Sequence, residues 1–277
     1  MTDSDLHVVH AVHEEDLGLV HDVRTLVDRR AALGLFGGVA LTTLLAACAS
    51  PAATTTSPAS APSTAAGDAD LSEVPDETAG PFPGDGSNGV NVLDDSGIVR
   101  GDIRSSFGSS TTTAEGVPLD IALTVRDAAT GDALAGYAVY LWHCDRDGAY
   151  SLYSRGLENE NYLRGVQETD SSGTVTFRST FPGAYAGRWP HIHFEVYSDV
   201  ATAVANGPIV KTSQIALPKE ACEAVYATSG YEQSVRNLAQ TSLASDMVFG
   251  DDGGIHQIGT VSGSAAAGYA VALTIGI

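Results

Sequence analysis

The segment 188–197 constrains the fold more strongly than any other part of the chain. From His191 onward polar and apolar residues alternate, in the order His191, Ile192, His193, Phe194, Glu195 and Val196. A period of two predicts a β-strand with one face on a core. His191 and His193 then share a face, about 7 Å apart along the strand at roughly 3.3 Å per residue. That spacing lets two imidazoles bind one metal ion, and a histidine pair on a solvated strand face is the alternative that the pattern leaves open.

Several other segments carry strand patterns. Leu119–Val125 alternates apolar and polar residues, and Tyr137–Trp142 is mostly apolar, as expected of a strand buried on both faces. Further strands are predicted at Thr174–Arg178, Ile209–Ile215, Thr260–Val261 and Tyr269–Ile275, the last two as a closing hairpin. Only Lys219–Tyr226 and Glu232–Leu238 favour short helices. Short strands separated by glycine and proline turns predict an all-β fold, a β-sandwich of mostly antiparallel strands with long loops.

The composition suits a folded, acidic protein. Hydrophobic residues make up 43% of the chain, which is typical of a globular domain. The formal net charge of −20 argues against a nucleic-acid partner, because such a partner requires a basic surface. The cysteines Cys48, Cys144 and Cys222 have no spacing typical of a thiolate metal site. A disulfide between Cys144 and Cys222 suits an exported protein, but the sequence does not show whether they are close enough.

Residues 1–47 predict export. A polar leader, the pair Arg29-Arg30 and an apolar run of roughly 17 residues that ends in small residues form the pattern of a signal peptide. The arginine pair resembles a twin-arginine signal. The ending Leu45–Cys48 resembles a bacterial lipobox, which implies that Cys48 is the lipidated first residue of the mature protein. A membrane-spanning helix is the alternative, but the apolar run is short for one.

Residues 48–76 predict a disordered tether. They are rich in Ala, Ser, Thr and Pro, a composition that cannot bury a core. Residues 77–277 are then one folded domain. We expect that domain outside the cell membrane, as a lipoprotein anchored only through Cys48 or as a secreted protein.

Two tyrosines accompany the two histidines. Tyr150 follows a turn at Gly148, and Tyr185 precedes the histidine strand, so both lie near one strand end. Zinc sites prefer His, Cys and carboxylate ligands, whereas a phenolate is a hard anionic donor that favours a hard Lewis acid such as ferric iron. Free tyrosine titrates near pH 10, and a bound cation lowers that value by stabilising the anion.

The motifs around these side chains resemble those of the intradiol ring-cleavage dioxygenases, the family of catechol and protocatechuate 3,4-dioxygenases. The matching residues occur in the family's order: Trp142, Asp145, Gly148, Tyr150, Arg164, Gly165, Asp170, Gly173, Pro182, Gly183, Tyr185, Arg188, His191 and His193. The segment Glu77–Phe82 resembles the family's N-terminal motif. Trp189 stands where many relatives have proline, and Pro190 where they often have alanine, which leaves the spacing from Arg188 to His191 unchanged.

The resemblance implies a non-haem iron enzyme. Its cofactor is Fe(3+), and the implied protein ligands are Tyr150, Tyr185, His191 and His193. The implied reaction cleaves a catechol-type ring between its two hydroxylated carbons with O2, giving a cis,cis-muconate-type diacid. Tyr185 is also implied to leave the iron when substrate binds and to take up a catechol proton.

Two further residues are candidates for the reaction. Arg188 matches the family arginine that stabilises the carbanion-like substrate, and a surface arginine is the alternative. Gln214 loosely matches a glutamine near the substrate, and a plain strand residue is the alternative. We expect His143 to be structural, and Tyr153, Tyr162 and Tyr197 to pack rather than to bind metal.

Other functions are open at this level. One is a non-catalytic exported binding module on the same β-sandwich, and the intact ligand set argues against it. Another is a hydrolase that uses a different metal, and the two tyrosines argue against it. Arg146, Arg155 and Arg164 are candidates to contact a carboxylated substrate, although a surface charge is the simpler interpretation of each. Neither the particular catechol nor the oligomeric state follows from the sequence.

Overall fold

The computed structural model describes residues 71–277. The predicted signal peptide, Cys48 and most of the predicted tether lie outside the described residues. Residues 73 and 74 pack against the rest of the domain. The Glu73 side chain contacts Lys211, and the N–H of Val74 donates to the Gly276 carbonyl. Within residues 71–277, no helix combines the length and the apolar composition needed to cross a bilayer.

The described part of the chain contains two four-stranded sheets. The strands are β1 (Pro118–Arg126), β2 (Ala138–Trp142), β3 (Arg164–Glu168), β4 (Thr174–Thr180), β5 (His191–Tyr197), β6 (Ile209–Ala216), β7 (Thr260–Ser264) and β8 (Gly268–Gly276). The first sheet has the order β4-β1-β8-β7, and the second has the order β3-β2-β5-β6. Neighbouring strands are antiparallel except β1 and β8, which run parallel.

The inner faces of the two sheets share one hydrophobic core. In β1 the alternate residues are buried, as the sequence predicted: Leu119, Ile121, Leu123 and Val125. Phe194 and Val196 of β5 pack into the same cluster from the other sheet. Burying each such side chain contributes about 1.5–3 kcal/mol. The predicted all-β sandwich is therefore confirmed.

Short helices follow β5 and β6 of the second sheet. They are α1 (Val200–Val204), α2 (Lys219–Tyr226), α3 (Glu232–Leu238) and a 3-10 helix (Leu243–Ser245). The two predicted short helices are confirmed, whereas α1 and β3 were not anticipated. β3 is largely polar, and its pairing with β2 rather than its own pattern defines it as a strand.

The outer face of the second sheet is also covered. All seven residues of β5 are buried, so the solvated strand face allowed by the sequence does not occur. Val92, Leu93 and Ile98 from the N-terminal segment pack against Tyr140 and other residues of this outer face. The polar side of β5, which carries His191 and His193, therefore faces a protein interior.

Candidate metal centre

The four side chains predicted as metal ligands converge at one end of the second sheet. His191 and His193 begin β5, and Trp142 at the end of β2 lies opposite His193 in the strand register. The loop that leaves β2 therefore returns past the start of β5 and carries Tyr150 with it. Tyr185 approaches from the loop between β4 and β5.

Two glycines allow the tyrosine loops to meet. Gly148 has φ of +84°, and a Cβ atom there would lie 3.2 Å from Cβ of Tyr185. Gly183 approaches the Arg146 carbonyl so closely that any side chain would clash, and its N–H donates to Asp145 O at 2.9 Å. Glycine is favoured at position 148 by the positive φ and is required at position 183 because the Arg146 backbone passes at close range.

The donor atoms are close together. Nε2 of His191 lies 3.1 Å from Nε2 of His193 and 3.2 Å from the Tyr185 hydroxyl. The Tyr150 ring centroid is 5.9 Å from that of Tyr185 and 6.3 Å from that of His193. Two nitrogens that bind one metal ion at about 2.1 Å and at right angles are about 3 Å apart. The spacing along the strand separates the attachment points of the histidines, and their rotamers bring the ring tips together.

Neighbouring groups orient both imidazoles. Nδ1 of His191 lies 2.5 Å from the Trp189 carbonyl, which can only accept, so Nδ1 carries the hydrogen. Nε2 of His191 is then the basic nitrogen, directed at the other donors. His193 stacks on Trp142, with ring centroids 4.8 Å apart and planes 5° apart.

Burial controls the protonation of the site. Burial, assisted by Arg188, lowers the pKa of His191 to about 3, and burial also lowers that of His193 well below its usual range. Both imidazoles are therefore neutral at pH 7, with lone pairs available. Burial raises the pKa of Tyr150 well above its usual value, and the neighbouring Tyr185 adds to this shift. In the described part of the chain the buried Tyr150 hydroxyl has no hydrogen-bond partner. A cation bound among these atoms would compensate the buried phenol and use both lone pairs.

The donor set is unusual for zinc. Within residues 71–277, no group of three or more His, Cys, Asp and Glu side chains is placed to hold a metal ion. A metal at this position must therefore use the phenol oxygens together with the imidazoles. Such a set fits a hard, highly charged ion better than zinc.

The known proteins that are similar to this chain are dioxygenases. A family model described as "Dioxygenase" matches residues 105–205. Chlorocatechol 1,2-dioxygenase from Pseudomonas putida is 34% identical over an alignment of 100 residues that covers 30% of this chain and 38% of that enzyme. The structure of an intradiol ring-cleavage dioxygenase from Tetranychus urticae matches with a TM-score of 0.54 and 26% identity, over 66% of this chain and 88% of that one. In sequence and in fold the chain is similar to the intradiol ring-cleavage dioxygenases.

A further solved structure is a more distant match. The dioxygenase domain of a dioxygenase and carbohydrate-binding fusion from Streptomyces sp. SirexAA-E matches with a TM-score of 0.48 and 21% identity, over 74% of this chain and 98% of that one. The matched segment spans 38% of the length of the Pseudomonas putida enzyme.

Arg188 and Gln214 lie together beside the four candidate donors. Nη2 of Arg188 donates to Oε1 of Gln214 at 2.7 Å, and Gln214 Nε2 donates to Thr78 O at 3.0 Å. Arg188 is only 2% exposed, so it is not a surface charge. Gln214 lies in β6 directly opposite His193. The structure therefore brings both candidate residues next to the predicted metal centre.

Asp246 was not anticipated from the sequence. Its Oδ2 accepts from Nε of Arg188 at 3.0 Å, and the two side chains form a buried ion pair. Asp246 follows the 3-10 helix at Leu243–Ser245, in a stretch without a recognisable motif. The partners are 58 residues apart in the chain, so no local pattern indicated the contact.

One of the three candidate substrate arginines is structural. Arg164 is completely buried and donates to the carbonyls of Phe82, Pro83 and Ser151. Its interpretation as a surface charge is therefore wrong, because the N-terminal segment folds over it. Arg155 is exposed, and Arg146 forms an ion pair with Glu115.

The remaining expectations concern buried side chains. His143 contacts Ser179 Oγ at 2.6 Å and Cys144 O at 2.7 Å, as expected of a structural histidine. Cys144 and Cys222 are both free and buried, so they do not form the disulfide considered above. Tyr162 and Tyr197 donate to Asp145 and Glu195, and Tyr153 to Asn88, which agrees with packing roles.

Proposed function

We propose that this protein is a ferric intradiol dioxygenase that cleaves a catechol-type ring between its hydroxylated carbons with O2, giving a cis,cis-muconate-type diacid. The observation that carries the proposal is the convergence of four donors, two phenols and two neutral imidazoles, of which three are buried and Tyr185 is half-buried. The similarity to chlorocatechol 1,2-dioxygenase supports a catechol-type substrate.

The four donors would hold the iron. They are Tyr150, Tyr185, His191 and His193. When bound, ferric iron supplies a Lewis acid that draws electron density from a catechol's oxygens and prepares the ring for O2. Neutral imidazoles suit this role because no proton must be removed from them before a cation binds.

Tyr185 is the residue that we assign to proton uptake. Its hydroxyl contacts Nε2 of His191, and its ring is half-buried, unlike the fully buried Tyr150. The more accessible phenol is the one that can move towards a substrate hydroxyl. A tyrosine oxygen that receives the catechol proton keeps that proton away from bulk water.

Arg188 supplies a fixed positive charge. The ring becomes electron-rich as the catechol loses its protons, and a cation held in a dry site stabilises that charge without reorganisation. Trp189 and Phe82 help to exclude water, since Trp189 is 4% exposed and Phe82 packs on Tyr150 at 4.9 Å. Removing one such fixed donor typically lowers kcat by about 10²–10³.

We also propose that the enzyme works outside the cell membrane. The arginine pair Arg29-Arg30 and the lipobox-like ending at Cys48 support this location. The test is incorporation of labelled palmitate in a producing bacterium. We expect label in the wild-type chain and none in Cys48→Ser, and an unlabelled wild type would contradict the anchor.

The reaction itself is tested with catechol under ¹⁸O2. We expect the purified protein to form a ring-opened diacid that contains both labelled oxygen atoms. Arg188→Gln should lower kcat about 100-fold, and Arg178→Gln is the control because Arg178 is exposed and forms an ion pair with the exposed Asp120. Absence of ring-opened product from iron-loaded wild type would favour the non-catalytic binding module.

A further inference from the structure

Asp246 is held rigidly in the interior. Its side chain is completely buried, and both of its oxygens accept hydrogen bonds. Oδ1 accepts from the backbone N–H groups of Val248 at 2.8 Å and Phe249 at 3.1 Å. Oδ2 accepts from the N–H of Trp189 at 2.6 Å and from Arg188 Nε at 3.0 Å. Four donors fix the carboxylate in one orientation.

The charge of Asp246 is compensated within the protein. Burial opposes its ionisation, but Arg188 and the N–H of Trp189 outweigh that effect and hold the pKa of Asp246 below its ordinary value. A buried ion pair is tolerated only with good geometry and additional hydrogen bonds, and this pair has both. Asp246 is therefore an anion that keeps the Arg188 guanidinium in place.

Trp189 connects this anion to a metal ligand. The N–H of Trp189 donates to Asp246, and the carbonyl of Trp189 lies 2.5 Å from Nδ1 of His191. One carboxylate oxygen thus contacts both the Arg188 side chain and the backbone of the residue that orients His191. A shift of Asp246 would change the distance between the guanidinium and the metal ligands.

We propose that Asp246 is a positioning residue of the reaction, which fixes the Arg188 guanidinium relative to His191. It acts through Arg188 and does not itself touch the substrate. The inference rests on the proposed function, because the position of Arg188 matters only if the site carries out ring cleavage. A merely structural role is the alternative, since Asp246 also accepts from the backbone of Val248 and Phe249.

A double-mutant cycle separates the two roles. Asp246→Asn, Arg188→Gln and the double variant are prepared in the full chain, and rates are expressed per bound iron. If Asp246 acts through Arg188, Asp246→Asn alone lowers kcat about 10–100-fold with little change in KM. In the Arg188→Gln background the same change alters kcat less than about twofold, because its effect has already been lost.

Asp170→Asn is the matched control. Asp170 also accepts from backbone N–H groups through one oxygen, but its hydrogen bonds stay within its own turn at Ser172 and Thr174. We expect this variant to keep the wild-type kcat. Asp246→Glu is a second test, since it keeps the charge but displaces it, and it should retain iron while losing kcat.

Three results would overturn the inference. One is an Asp246→Asn variant with iron bound and kcat within about twofold of wild type. Another is a double variant whose loss of kcat equals the product of the losses in Asp246→Asn and Arg188→Gln, because independent roles are additive in free energy. The third is loss of iron from both Asp246 variants, which would assign Asp246 to the fold alone. A wild-type protein that holds iron but does not cleave catechol would instead overturn the proposed function.

Discussion

Trp142 and His193 stack with nearly parallel rings, with centroids 4.8 Å and planes 5° apart. They are directly opposite each other in the pairing of β2 with β5. Trp142 also stacks on Tyr140, with centroids 4.9 Å and planes 22° apart. The imidazole plane of His193, a predicted iron ligand, is thus fixed by stacking on buried aromatic rings, since its Nδ1 has no hydrogen-bond partner among residues 71–277.

We predict that Trp142→Phe weakens iron binding. The smaller ring leaves His193 with less contact, and loss of a residue that orients a ligand typically costs about 10–100-fold in metal affinity. Competition with a chelator measures this affinity. Phe177→Leu is the control, since Phe177 is equally buried but belongs to the core between the sheets. Equal iron affinity in wild type and Trp142→Phe would show that the stack does not support the ligand.

We predict that Arg164→Lys destabilises the fold by about 3 kcal/mol or more. A lysine cannot reach the acceptors on both sides of the guanidinium, so its buried charge would lack hydrogen-bond partners. Arg164 donates to Pro83 O at 2.7 Å, to Phe82 O at 2.9 Å and to Ser151 O at 3.0 Å. Urea unfolding measures the loss. Arg178→Lys, at a position with a 64% exposed side chain, should change stability by less than about 0.5 kcal/mol. Equal losses at the two positions would contradict the structural role of Arg164.

We predict that the buried carboxyl group of Glu77 makes the stability of the fold depend on pH. Burial, with Asp251 and Asp252, raises the pKa of Glu77 from 4.5 to about 8. Between these values the folded protein holds a proton that the unfolded chain has lost, so the free energy of unfolding falls as pH rises. The contribution is at most about 1.4 kcal/mol per pH unit.

Urea unfolding of the iron-free protein at several pH values tests this effect. We expect the fall in stability with rising pH to be smaller in Glu77→Gln, which has no carboxyl group to ionise. Asp76→Asn is the matched control. Asp76 is the residue next to Glu77 in the chain, but its carboxylate is largely exposed and pairs with Lys211. Identical pH profiles for wild type and Glu77→Gln would contradict the prediction.

Periodicity and local motifs anticipated the parts of the molecule that depend on sequence neighbours. β1 and β5 follow from alternation, and the four donor residues follow from the motifs that carry them. Periodicity did not anticipate β3, because the polar residues Arg164 and Glu168 at its ends are recruited by pairing with β2. It also did not show that a segment far away in the chain covers β5.

The sequence patterns did not predict contacts between residues that are far apart in the chain. Asp246 is 58 residues from Arg188, and the Arg164 guanidinium reaches Pro83 across 81 residues. The residues next to a charged side chain in the sequence do not indicate its distant partner, because burial depends on how separate segments pack. The candidate site was therefore predicted as a set of ligands, and the groups that position it became evident only in the folded chain.

The visible absorption spectrum and iron content of the purified full chain test the central claim most directly. We expect a broad tyrosinate-to-iron band and about one iron per chain, since a phenolate bound to ferric iron absorbs visible light and the site holds a single ion. Tyr185→Phe should change the band, whereas Tyr153→Phe should leave it unchanged because Tyr153 donates to Asn88 and not to the centre. A protein that stays colourless after reconstitution with ferric iron would contradict the account.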